Sequence, residues 1–413
     1  MKYDNIIIGG GLSGLIAGIE SVKSGKNTAI ISAGQSALHF WSGSFEFLCH
    51  VDGKDVYDSP MKEAEKLDDK HPYKRIGLKK TRNYLEKVAP LLKEAGIKVN
   101  GTLDRNHYRL TPFGIVKPAW LTLDDYLYID SLEKLKGKKA AILNIESYLD
   151  FYPSYIEHGL RPLGVECSIG SVDVPQLAIL RRSTTEMRAT NMSRFLKDDA
   201  IDSLAKVINE KSKGADGVIM PAVLGIFSDD PVDRLRSRLD CPIYFISTIP
   251  ASVPGVRCQL SLKKLFIDHG GTFIPGDTVT KGVIEDNRIK KIYTANFGDV
   301  PVEADNFVIS TGSFFGQGLI ATIDRIYEPV FGLDLNVKGG RTEWYDKDVY
   351  ASQPYMGFGV EYDDEFHPLK DGKAIENLYA TGALLSGFNA LKEGSGAGIT
   401  LASAFNAADH ITK

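Results

Sequence analysis

Asn5-Ile6-Ile7-Ile8-Gly9-Gly10-Gly11-Leu12-Ser13-Gly14 is the stretch on which the fold turns. Its first four residues read as a short strand of the kind buried in a parallel sheet. From there Leu12, Leu15, Ile16, Ile19 and Val22 recur at helical spacing as far as Gly25, a suitable C-terminal cap, and Thr28-Ala29-Ile30-Ile31-Ser32 reads as a second strand. The product is a βαβ unit with its glycines at the strand-to-helix turn. Each glycine has its own job there: Gly9 permits the tight turn, Gly11 lets the backbone approach a phosphate, and Gly14 lets the helix lie close on the strand. The helix N-terminus, with Gly10 and Ser13 beside it, then offers unpaired amides to an anion. A lone GxGxxG is weak, because glycines gather in any turn; here strand, helix and second strand all fit around it, which favours phosphate binding over a structural turn. One part is missing. The carboxylate that holds an adenosine ribose ordinarily lies about 20 residues on, but residues 32–36 read Ser32-Ala33-Gly34-Gln35-Ser36. Either Ser32, Gln35 or Ser36 holds the ribose, or there is no adenosine to hold.

Working outward, residues 60–100 form a Lys/Glu-rich amphipathic stretch with Tyr84, Leu85, Val88, Leu91 and Leu92 as its apolar face, and its charges read as a solvated surface. Residues 100–210 mix strand-like runs such as Ala140-Ala141-Ile142-Leu143 with polar helices. Gly217-Val218-Ile219-Met220 and Ile243-Tyr244-Phe245-Ile246 read as further buried strands, and Pro254-Gly255-Val256-Arg257 opens a helix that ends near Gly270-Gly271. Val279 to Glu285, a turn at Asp286-Asn287, and Arg288 to Thr294 read as a β-hairpin. Two later strands also run into glycine, one ending Ser310-Thr311-Gly312 and the other Ala380-Thr381-Gly382. Gly394-Ser395-Gly396-Ala397-Gly398 precedes a small-residue helix, Ile399 to Ala408, whose amide ends suit the pyrimidine edge of a flavin, where negative charge develops on reduction. The expected fold is α/β: a Rossmann-like FAD/NAD(P)-binding domain, three-layered, with a mostly parallel sheet and a β-meander, plus an inserted mixed α/β domain. The expected boundaries are 1–50 and 215–413 for a discontinuous flavin-binding domain and 51–214 for an inserted substrate or partner domain.

Composition narrows the function. The chain has 413 residues, enough for two or three structural units, with 49 Lys plus Arg against 53 Asp plus Glu and a net charge of −4. That balance argues against nucleic acid as a partner. Hydrophobic residues make up 43% and the mean hydropathy is −0.13, the profile of an ordinary globular protein. Cys49, Cys167, Cys241 and Cys258 are too far apart for a zinc site or an iron–sulfur cluster, so reduced thiols in a cytosolic interior are expected. Met1-Lys2-Tyr3-Asp4 leads straight into a strand, without the regions of a signal peptide, and no uncharged apolar run approaches the roughly 18 residues of a membrane span.

At this point the chain resembles a known family. Gly9 to Gly14, the segment Gly34-Gln35-Ser36-Ala37-Leu38-His39-Phe40-Trp41-Ser42-Gly43-Ser44, the turn Ser252-Val253-Pro254-Gly255-Val256-Arg257 and the terminal glycine cluster are together similar to the B subunit of the anaerobic glycerol-3-phosphate dehydrogenase. The resemblance runs the full length, and the Gly34 to Ser44 block is its specific part. It implies a flavin-dependent cytoplasmic subunit that oxidises sn-glycerol 3-phosphate to dihydroxyacetone phosphate together with a flavoprotein A subunit. It also implies an iron–sulfur C subunit that passes electrons to membrane quinone and holds the complex at the inner face of the cell membrane. The cofactor it implies is FMN, in keeping with the missing ribose carboxylate. FAD stays open, because a complete GxGxxG turn ordinarily faces the pyrophosphate of FAD.

Oxidising a secondary alcohol by flavin needs a base for the hydroxyl proton and cations for the phosphate. His39 is the first candidate for the base, set against the reading of a packed residue beside Phe40 and Trp41. Ser42 and Gly43, with Ser44, offer donors to a flavin phosphate or carbonyl, or form an ordinary polar turn. Arg257 at a helix start is the candidate for the substrate phosphate; Arg181, Arg182 and Arg188 are bidentate donors that equally read as surface charge. Lys392-Glu393 either lines the cofactor edge or caps its loop in solvent. Thr311, Gly312, Gly382, Gly394, Gly396 and Gly398 complete the cofactor set. Two other functions compete: a non-catalytic flavin subunit that relays electrons from a catalytic partner, and a nicotinamide-dependent flavoprotein reductase, which lacks a convincing second nucleotide-binding βαβ unit here.

Overall fold

The computed structural model describes residues 2–183 and 185–413. The chain divides into two compact units: the first comprises residues 1–37, 46–91 and 262–413, and the second residues 38–45 and 92–261.

The first unit is built on the opening motif. Strand β1 (Lys2–Ile8), helix α1 (Leu12–Lys23) and strand β2 (Thr28–Ser32) form as their periodicity dictates, with Ile6, Ile7, Ile30 and Ile31 buried. Two short helices follow, α2 (Pro72–Ile76) and α3 (Leu78–Glu86). Next come β3 (Thr272–Pro275), β4 (Val279–Glu285), β5 (Arg288–Thr294), β6 (Glu303–Ile309) and β7 (Leu378–Ala380), and α4 (Gly396–Ile411) closes the chain. The order in the main sheet is β3-β2-β1-β6-β7, with every pairing parallel. All five carboxyl ends therefore lie along one edge, where open α/β sheets bind ligands. β1 runs beside β6 in register, Lys2 opposite Glu303 through Ile8 opposite Ile309.

Helix α4 presents Ala402, Ala404, Ala407 and Ala408, all buried, and packs against α1, α2 and α3. Asn5, the polar residue in an otherwise apolar strand, explains itself here. It is fully buried, its amide donates 2.8 Å to Ser21 Oγ of α1 and 3.1 Å to the Ile411 carbonyl of α4, and Ser21 Oγ lies 2.7 Å from Thr28 Oγ1 of β2. A buried polar group costs free energy unless it is hydrogen-bonded, so the network fixes both helices to the strand. The antiparallel β4–β5 hairpin turns on Asp286 (φ 52°) and Asn287 (φ 56°), the left-handed pair that a two-residue turn needs. Where a meander is expected, the structure has this two-stranded hairpin, extended only by a bridge between Ile292 and Val302.

The second unit has its own parallel sheet, in the order Glu166–Val172, Lys139–Ile145, Gly217–Pro221, Ile243–Ile246. Two small antiparallel sheets accompany it: Tyr128–Ile129, His107–Leu110 and Val116–Ala119 in one, Ser44–Phe45, Leu121–Leu123 and Val99–Asn100 in the other. This division differs from the expected boundaries at three places. Residues 38–45, expected with the flavin-binding domain, fall in the second unit. Residues 215–261 fall in the second unit, because strands Gly217–Pro221 and Ile243–Ile246 add to the sheet begun by Lys139–Ile145. Residues 51–91 fall in the first, because α2 and α3 seat on α4.

Candidate functional site

The glycine turn between β1 and α1 sits at the carboxyl edge of the first unit's sheet. Gly9 has φ +115°, and a Cβ there would overlap the Ser310 carbonyl at the end of β6. A Cβ at Gly14 would overlap the Gly9 carbonyl oxygen and lie 3.3 Å from Ile7 Cγ2, so the helix can sit on the turn only as glycine. Gly11 is different. Its φ is −82°, open to any residue, and a Cβ built on it meets only Ser36 Cβ, at 3.6 Å. Space on that side is what close approach of a ligand phosphate requires. Gly11 is the N-cap of α1, no acidic residue stands in the first turn, and the amides there suit an anion. The site therefore fits a dinucleotide phosphate.

Neighbouring segments converge on the same edge. A Cβ at Gly10 would lie 2.6 Å from Ser32 Oγ, placing the Ser32 hydroxyl at the end of β2, where a ribose carboxylate ordinarily stands. Ser36 borders Gly11, while Gln35 is exposed. Thr311 follows Ser310, whose Oγ lies 2.7 Å from Thr381 Oγ1, and Gly312 follows in turn with φ +80°. Gly382, just after β7, lies against Ser13 and Thr400, so the first turn of α1 and the second turn of α4 stand side by side. The terminal cluster differs from expectation in one respect. Helix α4 begins at Gly396, so Gly396 and Gly398 belong to its first turn, and only Gly394 stands in a preceding bend. A Cβ at Gly398 would overlap the hydroxyl of buried Tyr73, and one at Gly394 would lie 2.6 Å from Cys49 Cβ.

Lys392 and Glu393 also belong to the first unit, whereas His39, Ser42, Gly43 and the candidate arginines lie in the second. His39 occupies a short 3-10 helix, Ala37–Phe40, half-buried, and burial lowers its pKa against an opposing hydrogen bond to Gln259. Its carbonyl accepts the Ser252 amide at 2.8 Å, and a Cβ at Gly255 would overlap the Leu38 carbonyl. The two most distinctive blocks of the sequence, 34–44 and 252–257, thus meet at residues 38–39. Gly43 lies under the Tyr126 ring, whose nearest carbon a Cβ would meet at 2.6 Å. Ser42 beside it is half-buried, and Ser44 Oγ is 2.8 Å from Thr122 Oγ1.

Arg257 is only 4% exposed and its guanidinium is committed within the unit. Its Nε lies 3.0 Å from Asp229 Oδ1, one terminal nitrogen lies 3.4 Å from Asp125 Oδ2, and the other donates 2.9 Å to the Gly225 carbonyl. Burial pushes the Asp125 and Asp229 carboxyls above the usual range while Arg257 pulls them back. This arginine, the candidate for the substrate phosphate, is a buried charge centre with Asp125, Asp229 and the Gly225 carbonyl as its partners. Arg181 pairs with Asp173, Arg188 donates to the Thr185 carbonyl, and Arg182 is exposed.

Three buried residues gave no local sequence signal. In the second unit His107 Nε2 is 2.6 Å from Thr122 Oγ1 and its ring lies 4.2 Å from Tyr128; burial, then the Arg109 charge, lowers its pKa to about 4. In the first unit His71 and Tyr73 buttress the bend before α4. Among the described residues no group of three or more His, Cys, Asp or Glu could hold a metal, and no helix is long and apolar enough to cross a membrane.

Residues 4–399 match the family described as FAD binding domain. The chain is 38% identical over 416 residues to the B subunit of the anaerobic glycerol-3-phosphate dehydrogenase of Yersinia pseudotuberculosis, covering 100% of this chain and 98% of that protein. The protein of the same name from Pectobacterium atrosepticum is 36% identical over 417 residues, covering 100% and 99%. The chain belongs to this B-subunit family. Among solved structures, 3-ketosteroid delta1-dehydrogenase from Sterolibacterium denitrificans aligns with a TM-score of 0.46 at 11% identity, covering 100% of this chain and 99% of that one. The matched family is one of FAD binding domains, which supports a flavin cofactor; FMN, the flavin first expected, is not supported, and FAD is the alternative that stays open.

Proposed function

We infer that the first unit holds FAD and that the chain is a subunit of a glycerol-3-phosphate dehydrogenase, oxidising sn-glycerol 3-phosphate to dihydroxyacetone phosphate. The observation that carries this reading is the full-length relationship to relatives bearing that name. The geometry adds a reason for FAD: the open side of Gly11 and the N-terminal amides of α1 suit a pyrophosphate. The Ser32 and Ser36 hydroxyls and Gln35 are the available partners for an adenosine ribose. Ser13, Thr311, Gly312, Gly382, Gly394, Gly396 and Gly398 border the rest of the cofactor. Bound there, FAD would supply the acceptor for a hydride from the alcohol carbon.

The chain's own residues bind, orient and move the proton. The N-terminus of α4 favours negative charge at whatever edge it faces. His39 is the proposed proton acceptor: burial keeps its imidazole neutral at pH 7, the form that can take the substrate hydroxyl proton. The second unit is proposed to carry substrate and partner contacts. The flavoprotein A subunit is the first proposed partner; the second is an iron–sulfur, membrane-anchoring C subunit, with electrons leaving for quinone and the complex lying peripherally at the cytoplasmic face of the membrane. The test is to load the chain with flavin, identify the released chromophore by mass, and add glycerol 3-phosphate anaerobically, with and without the A subunit present. Bleaching of bound FAD supports the reading; a chain that takes up neither FAD nor FMN overturns it.

A further inference from the structure

Helix α4 begins at a bend whose rigidity comes from a residue more than 300 positions earlier in the chain. Glu393 Oε2 lies 3.1 Å from His71 Nε2 and accepts the Ser395 hydroxyl at 2.7 Å, while its Oε1 accepts the Asn389 amide at 2.9 Å. His71 is 2% exposed, and its Nδ1 accepts the Tyr73 amide at 3.2 Å. A ring nitrogen that accepts carries no proton, so the Nε2 proton is the one that neutral His71 donates to Glu393. Around this pair, the Tyr73 hydroxyl donates to the Phe47 carbonyl at 2.7 Å and to the Ser395 carbonyl at 3.2 Å, and the Cys49 amide donates to the Glu393 carbonyl at 2.9 Å. Every oxygen of the Glu393 carboxylate is occupied by a donor, and burial opposes its charge while those donors outweigh it, leaving its pKa below the usual range. A carboxylate is thus held, ionised, two residues ahead of Ser395-Gly396, where α4 starts.

We propose that the His71–Glu393 pair is a positioning and charge-setting device for the bound flavin: it fixes the bend that presents the α4 amides, and its fixed negative charge offsets the positive end of that helix. The proposal rests on the flavin reading above. A helix N-terminus carries roughly half a positive charge, which eases reduction of a ring beside it. A full negative charge held next to it works in the opposite direction, so the pair keeps the flavin potential low, as suits a centre that must hand its electrons on.

Two arms test it on the full chain loaded with FAD. Glu393→Gln keeps the side chain's length and removes its charge; the flavin midpoint potential, measured by dye equilibration, is expected to shift to more positive values with flavin still bound. His71→Ala leaves Glu393 without its buried donor, and the dissociation constant for FAD is expected to rise about tenfold, whereas His71→Gln, which can still donate, restores most of that affinity. An unchanged potential in Glu393→Gln overturns the electrostatic role. Equal FAD affinity in the wild type and His71→Ala overturns the positioning role, as does equal loss in His71→Ala and His71→Gln. Should Glu393→Gln fail to fold, the His71 pair decides. Failure of the wild-type chain to take up flavin at all sinks the flavin reading instead, and is told apart by the wild-type control.

Discussion

Gly11 and Gly14 are three residues apart in one motif, yet the structure assigns them opposite sensitivities to the same added methyl group. At Gly14 a Cβ would overlap the Gly9 carbonyl oxygen, and that oxygen belongs to backbone pinned between β1 and β6. Relief requires moving α1 off the turn, an overpacking cost of about 1–3 kcal/mol, set against a gain of up to about 1 kcal/mol from replacing a helical glycine. Gly14→Ala should therefore lower the melting temperature of the flavin-free protein. At Gly11 the nearest atom to a Cβ is Ser36 Cβ at 3.6 Å, ordinary contact, and the backbone is extended. Losing glycine at an N-cap costs roughly 0.5–1 kcal/mol, and restricting the unfolded chain returns about 0.4–1 kcal/mol. The two nearly cancel, so Gly11→Ala should melt with the wild type. Its methyl group stands where the phosphate must come, and a lost charge-assisted hydrogen bond is worth about 1.5–3 kcal/mol, or roughly ten- to a hundredfold in affinity. Thermal melts of the apo-proteins and flavin titrations by fluorescence measure both quantities. A Gly11→Ala protein that binds FAD as tightly as the wild type would refute the assignment of this turn to the cofactor.

Other consequences can be checked alongside. His39→Ala should slow flavin reduction far more than it weakens substrate binding, and because burial lowers the His39 pKa from 6.5, the wild-type reduction rate should hold as pH falls to 6.5 and decline only below it; an inflection above 6.5 contradicts this. Arg257→Ala leaves Asp125 and Asp229 buried without their cation, so a loss of about 3–5 kcal/mol in stability is expected by urea denaturation, and an unchanged midpoint would show the cluster to be energetically idle. His107 titrates at about 4 in the folded chain and near 6.5 when unfolded, so the unfolded chain gains its proton first as pH falls. Its contribution is complete above pH 6.5 and is lost progressively down to pH 4, by about 3 kcal/mol. His107→Gln should flatten that slope, and equal slopes would remove His107 from the account.

What the sequence revealed was what local periodicity can encode. The β1–α1–β2 unit, the hairpin at Asp286-Asn287 and the glycines that end β6 and β7 all announce themselves within a few residues, because burial period and turn chemistry are local. Pairing between distant strands is not. Gly217–Pro221 reads equally well as a strand of either sheet, and only its parallel register with Lys139–Ile145 assigns it to the second unit. Arg257 shows the same limit: its position at a helix start is visible, but its partners Asp125 and Asp229 are set beside it by tertiary structure. Glu393 was seen and His71 was not, since a histidine in a polar stretch carries no mark of the carboxylate it meets 322 residues later.

Strand β1 lies at the middle of its sheet, and one of its two neighbours is far away along the polypeptide: Asn5 meets Asn306 across a separation of 301 residues. A ribosome has therefore added some 301 residues after Asn5 before β1 can acquire its second partner, and 406 before Ile411 arrives to take the Asn5 amide. Loop closure of that span makes for slow folding. Until then the Ile6-Ile7-Ile8 ridge stands unpaired along one side, a surface on which nascent chains aggregate or recruit a chaperone. Truncations from the carboxyl end should accordingly accumulate as insoluble protein even when they retain the whole nucleotide-binding motif.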